Sequence, residues 1–177
     1  MADLTMPDQL QASLLDRLTD HAPSVREEPL DARVTTWRGL KQAVLRDLTW
    51  LFNATRLELR GDMTGFPEVQ QSVINYGLPT FSGLTVSTLD LSELEATLQR
   101  GIALFEPRLL ASTLQVTARL KAFREDARAT DDLECHNVIT IELRGQLRAQ
   151  PVPIDLLVRA EIDLETGGIE IKDQPSA

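Results

Sequence analysis

Apolar residues recur every three to four positions as far as Phe105, and at every second position from Leu114 onward. This change of period divides the chain into a helical part and a strand part. Leu91, Leu94, Leu98, Ile102 and Phe105 make one face of a helix, with Ser92 and Glu95 spaced as a capping box at its start. Pro107 ends it, since proline lacks an N–H and disfavours helical geometry in the residue before it. An earlier and longer helix is predicted over 37–53, with Trp37, Leu40, Val44, Leu48, Leu51 and Phe52 on its buried face and Arg38, Lys41, Gln42 and Asp47 away from it. Trp37 and Trp50 read as packing residues. Residues 8–21 suggest a short amphipathic helix with Leu10, Leu14, Leu15 and Leu18 as its stripe. The stretch from His21 to Thr36, with two prolines and many charges, reads as a linker.

Between the two main helices, Arg56 to Gly65 is charged and turn-rich. A short helix then opens at Pro67, buries Val69, Val73 and Tyr76, and closes at Gly77 with Pro79 just beyond. Residues 77–83 form a loop to the next helix. From 112 onward three alternating runs predict strands. The first buries Leu114, Val116, Ala118, Leu120 and Ala122. The second, over 137–149, buries Ile139, Ile141, Leu143 and Leu147. The third, over 152–164, buries Val152, Ile154, Leu156, Val158, Ala160 and Ile162. Glu165-Thr166-Gly167-Gly168 is a hairpin turn into a short fourth strand carrying Ile169 and Ile171. The charged loop 124–134 is expected to be mobile. Helices first and an antiparallel meander after them give an α+β fold, with N-terminal helices packed on a C-terminal four-stranded antiparallel sheet in two layers. The expected division is an N-terminal helix and linker over 1–36 and an α+β domain over 37–177. The fourth strand is expected at an edge, where it is either blunted or available to another chain's strand.

Composition narrows the functions. Twenty-seven acidic against 18 basic residues leave a net charge of −9, so a phosphate backbone would be repelled and nucleic acid is not an expected partner. Aromatic residues are 5%, too few for a sugar cleft or a base-stacking surface. The single cysteine excludes an internal disulfide. No apolar run reaches the ~20 residues that span a bilayer, and the acidic N-terminus is no secretory signal, so a cytoplasmic protein without direct membrane insertion is expected.

Catalytic patterns are absent. The glycines fit neither a dinucleotide nor a P-loop spacing. Cys135 and His136 are adjacent and would point to opposite faces of a strand, and the only other histidine is His21, so no zinc set and no thiol–imidazole pair is formed. A glycosidase-like carboxylate pair would recruit Glu106, but Arg108 beside it opposes the raised pKa that a general acid needs. No cofactor is expected. Glu106 and Arg108 flank Pro107 at a corner between helix and sheet. On spacing alone they are either a local cap and ion pair or a rigid contact surface. The leucine stripe of residues 8–21 likewise either folds back on its own core or docks in a partner's groove.

Four segments in order carry a resemblance: Ser13-Leu14-Leu15-Asp16-Arg17-Leu18, Val44 to Asn53, Ser72-Val73-Ile74-Asn75-Tyr76-Gly77-Leu78-Pro79, and Phe105-Glu106-Pro107-Arg108-Leu109. Together with the strands after them they resemble TssE, the baseplate wedge subunit of type VI secretion systems, which is similar to the contractile-phage baseplate wedge protein of the tail-lysozyme-like family. The resemblance implies an α+β fold and a structural, non-catalytic role. It implies joining TssF and TssG, with TssK and the sheath proteins TssB and TssC as further partners, and helping sheath assembly begin. It also implies partner contacts at Glu106, Pro107 and Arg108. Leu14, Leu15 and Leu18, and the strand edge at Ile169 and Ile171, are the other expected partner-binding positions. The alternative is a lysozyme-like peptidoglycan hydrolase, as the family's older label suggests.

Overall fold

A computed structural model describes residues 12–19, 23–24, 35–57, 65–81, 89–120, 138–149 and 152–173. Leu10, Ala122, the 124–134 loop, Cys135, His136, and most of the expected linker and of the charged stretch after Arg56 lie outside them. The elements run α1 (Leu14–Leu18), α2 (Trp37–Asn53), α3 (Pro67–Gln70), a 3₁₀ turn (Val73–Asn75), α4 (Leu91–Phe105), a second 3₁₀ turn (Ala111–Thr113), then β1 (Gln115–Leu120), β2 (Val138–Leu147), β3 (Ile154–Asp163) and β4 (Ile169–Asp173). The strands form one antiparallel sheet in the order β1-β2-β3-β4. Its register places Val116 opposite Leu143, Ile141 opposite Ala160, and Ala160 opposite Ile171.

The predicted two-layer α+β arrangement is the observed one. Leu40, Val44, Leu48, Leu51 and Phe52 of α2 and Leu94, Leu98 and Ile102 of α4 share one core with Val116, Ile139, Ile141, Leu143, Val158, Ala160 and Ile162 of the sheet. The other face of the sheet is polar, with Glu142 bridging Arg144 and Arg159. Such alternation is what a sheet covered on one side requires.

Several details differ from the expectation. The cap of α4 is Asp90, whose carboxylate accepts from the N–H of Ser92 (2.8 Å) and Glu93; helix geometry begins at Leu91, one residue before the expected cap at Ser92. The helix opened by Pro67 lasts one turn. The Ser72 hydroxyl donates to Val69 O (2.9 Å) and accepts from Ile74 N, which starts a separate 3₁₀ turn. That restart turns Val73 outward, where it is 81% exposed, while Val69 and Tyr76 stay half-buried. Trp37 and Trp50 are half-exposed, each stacked by an arginine (Arg38 and Arg46) at 5.2 Å. Leu120, the last residue of β1, is exposed rather than buried. Val152 is exposed because β3 begins only at Ile154, after Pro153, which has no N–H for the ladder.

Gly77 does not close the helix opened by Pro67, which ends at Gln70; it follows the separate 3₁₀ turn, in a backbone conformation that still requires glycine. Its φ is +124°, and a Cβ there would meet Ala54 O at 2.3 Å. The close approach exists because Leu78 N donates to Ala54 O (2.8 Å) and Arg56 N donates to Leu78 O (2.9 Å), so the chain after α2 lies against Leu78.

Helix side chains also hold both sheet edges. Glu95 accepts from Ala118 N (2.7 Å) and Gln99 donates to Leu114 O (2.9 Å) along the free side of β1. At the other edge Asn53, the last residue of α2, donates to Ile169 O (2.9 Å) and accepts from Ile169 N (3.1 Å). The edge expected to be available from Ile169 is therefore occupied at Ile169 itself.

Candidate functional site: the corner after helix α4

Pro107 stops α4, and the chain turns through Glu106-Pro107-Arg108 toward the sheet. Glu106 N still donates to Ile102 O (2.8 Å), and Leu109 N donates back to Glu106 O (3.1 Å), so the turn is closed on itself. It is also stitched to the end of β2. Arg148 N donates to Arg108 O (2.7 Å), Leu110 N donates to Gln146 O (2.9 Å), and Leu109 bridges Leu147.

Inside this corner Glu106 is the buried charged residue among the described residues, 3% exposed. Its Oε1 accepts from Arg108 N (3.1 Å) and Arg108 Nε (2.7 Å), and its Oε2 from Arg108 Nη2. The guanidinium thus grips the carboxylate with two donors, the geometry that arginine offers and lysine does not. Arg108 Nη2 also pairs with Asp47 of α2. Burial alone would lower the pKa of Arg108, but its bonds to the Glu106 and Asp47 carboxylates and their charges outweigh this and hold it above its usual value.

The pairing continues. The other oxygen of Asp47 accepts from Arg46 Nε (3.1 Å), and Arg46 reaches α1, where it bonds Asp16 and the Ser13 hydroxyl (3.1 Å). Asp16, Arg46, Asp47, Arg108 and Glu106 therefore form an unbroken file of alternating charges from α1 to the corner. Hydrogen bonds from Arg46 and then Ser13 hold the Asp16 carboxyl below its usual pKa. Ser13 caps α1 through its hydroxyl, which also donates to Asp16 (2.7 Å).

A groove of about 590 Å³ lies between α1 and the corner, walled by Leu14, Leu15 and Leu18 on one side and by Trp50, Leu51, Tyr76, Phe105 and Pro107 on the other. Tyr76 stands edge-on to Phe105, ring centres 5.2 Å apart, and its hydroxyl reaches Asp47 O at 3.5 Å. Desolvation, then the charges of Asp47 and Glu106, raise the Tyr76 pKa. Leu14 and Leu18 remain 70% and 73% exposed, so α1 is held to α2 by its polar side while its leucines stay largely open.

The structure thus brings together two of the expected sets, Glu106-Pro107-Arg108 and Leu14-Leu15-Leu18. Ile169 and Ile171 lie apart from them, on β4. Sequence reading missed Asp47, Arg46 and Asp16, and placed Asp47 away from any buried contact. Nothing in the local sequence around Asp47 marks it, because its partner Arg108 is 61 positions away.

Both oxygens of Glu106 are taken by Arg108, an arrangement that fixes structure rather than presenting a proton to a substrate. Among the described residues no group of histidine, cysteine and carboxylate side chains could hold a metal ion. No described helix is long and apolar enough to cross a membrane.

Residues 38–152 match the family described as baseplate wedge protein gp25. The matched stretch begins in α2, includes the whole corner, and ends just before β3. No curated protein and no solved structure matches the chain.

Proposed function

Because the chain belongs to the baseplate wedge protein gp25 family, a structural component of contractile-tail-like baseplates, we propose that it is a non-catalytic wedge subunit of a type VI secretion baseplate. In this reading it works in the cytoplasm, joins TssF and TssG, meets TssK and the sheath proteins TssB and TssC within the assembly, and helps sheath growth begin. The observation that supports the reading best is the corner. Proline, the buried Glu106–Arg108 pair and the stitching to β2 hold it rigid before any partner arrives, so little ordering entropy is lost on binding. The apolar groove beside it is open along the α1 leucines and Trp50, a shape suited to the apolar side of a partner helix.

The test is co-expression with the TssF and TssG proteins of the same source, followed by affinity purification. Wild type should co-purify. Leu14→Glu/Leu18→Glu alters exposed positions only, so it should leave the circular dichroism spectrum unchanged and reduce recovery. Failure of the wild type to co-purify would refute the wedge role in this machine. Unchanged recovery of the double variant would remove the groove from the interface.

A further inference from the structure

Helix α1 has five residues, and none of them is buried. An isolated helix of that length does not persist in water, because nucleation costs more than so few hydrogen bonds offset. Its folding therefore depends on what it is tied to. Among the described residues, the hydrogen bonds that leave α1 and its cap all reach one side chain, Arg46 of α2. Its Nη1 meets Asp16, and its Nη2 donates to Ser13 Oγ (3.1 Å). The same guanidinium gives its Nε to Asp47 (3.1 Å) and lies 5.2 Å from the centre of the Trp50 ring. One planar fork thus joins α1, the acid that leads to the corner, and a wall of the groove, which lysine's single ammonium could not do.

This grip is polar and partly wet. The Arg46 and Asp16 side chains are 31% and 36% exposed, so salt screens the pair and its strength is modest. The apolar side of α1 adds little. Leu14 and Leu18 stay 70% and 73% exposed, although they line a groove whose other wall carries Trp50, Tyr76, Phe105 and Pro107. Neither wall is dry while the gap between them is open. A helix seated there would bury Leu14 and Leu18 against itself, and so would favour the docked form of α1.

We propose that α1 is a clasp, which opens and closes by breaking and making the Arg46 contacts and which closes over a partner helix in the groove. The partner half of this inference rests on the wedge reading above; the opening and closing belong to the chain alone. By linkage, whatever frees α1 weakens partner binding, and partner binding holds α1 closed.

Hydrogen–deuterium exchange of the full chain, read by mass spectrometry on the peptide that covers α1, tests both halves. Arg17 N and Thr19 N donate to Ser13 O and Leu15 O (3.0 Å each), and these amides are protected only while α1 is formed. In the free chain Asp16→Asn should speed exchange about three- to fivefold, the ratio set by a partly exposed ion pair. Raising sodium chloride from roughly 0.05 M to 0.5 M should move the wild type toward the variant and leave the variant where it is. Asp155→Asn removes an equal charge from an exposed position of β3 and should change nothing. Bound TssF and TssG should slow α1 exchange about tenfold. Equal free-chain exchange in the wild type and Asp16→Asn, or equal acceleration by Asp155→Asn, would overturn the clasp. A complex with TssF and TssG that leaves α1 exchange unchanged would overturn its closure over a partner while the wedge reading stands. Absence of any complex would refute the wedge reading and the partner half with it, and the free-chain comparison would still decide whether α1 opens on Arg46.

Discussion

Truncating Arg108 to alanine tests the corner most directly. The substitution keeps the backbone N–H that reaches Glu106 Oε1 at 3.1 Å and removes the Nε and Nη2 donors. Glu106, 3% exposed, is then a buried carboxylate with one donor where it had three. Losing one partner of a buried pair costs about 3–5 kcal/mol. The Arg108 side chain is 26% exposed, and solvent can reach part of the gap, so the lower end, ~3 kcal/mol, is expected. Asp47 suffers less, because Arg46 still pairs with it. With a urea slope of about 1–3 kcal/mol/M, the unfolding midpoint should fall by about 1–3 M. Removing both charges, as Glu106→Met/Arg108→Met, should recover much of the loss, since an apolar replacement of similar volume is often near neutral. The two single substitutions and the double one should then show a coupling of ~2 kcal/mol or more. An Arg108→Ala midpoint that coincides with the wild type's, or single losses that simply add in the double variant, would refute the claim that this pair is buried and mutually dependent. The result also governs how assembly experiments are read: lost assembly by an Arg108 variant reports on the interface only where folding has been measured.

Other substitutions test other parts of the fold. In a Trp37→Phe background Trp50 is the sole tryptophan and faces α1 across the groove. Asp16→Asn should red-shift its emission as α1 loosens from Arg46. The same shift should appear in the parent as pH falls. The Asp16 pKa is lowered in the folded state, so its contribution is complete above the ordinary value of 3.8 and is lost as pH drops through the folded value beneath it; a flat emission profile from pH 6 to pH 2.5, pH values chosen to bracket roughly that range, would refute the docking of α1. Gly77→Ala should cost ~2 kcal/mol or more, lowering the melting temperature by about 4–8 °C, because neither the positive φ nor the approach of Ala54 O admits a Cβ. Asn53→Ala removes two bonds to Ile169 and should cost ~1–2 kcal/mol while speeding amide exchange at Ile169; unchanged protection there would show that this edge is held by other contacts.

The periodicities of the sequence carried the architecture because each main element is amphipathic over its full length. Helix α2 ends where its pattern ends, α4 stops at the proline, and the strands alternate against a single core. What stayed hidden depends on contacts between residues far apart in the chain. Asp47 reads as a solvent-facing acid until Arg108 is seen to lie against it, and Asn53 is unremarkable until Ile169, 116 positions later, arrives beside it. Glu95 fits a capping box by spacing, yet it serves a strand rather than its own helix. Asp90 and Glu93 have the same spacing two positions earlier, and only the start of helical geometry at Leu91 decides between them. At the corner the three residues were visible as a motif, but their connection to α1 was not, because adjacent Arg46 and Asp47 carry no sign that they link two distant partners.

The unequal treatment of the two sheet edges gives the molecule a direction. On β1, Glu95 and Gln99 hold the chain on both sides of Val116, so a new strand there would have to strip two helix side chains from their bonds. On β4, the hydrogen bonds from helix side chains among the described residues are those of Asn53 to the first residue. A sheet built this way is not a tile that repeats in both directions. If it is ever lengthened by another chain, growth proceeds away from β4 alone and the β1 side remains a terminus, so a stack begun on this protein has a defined first member.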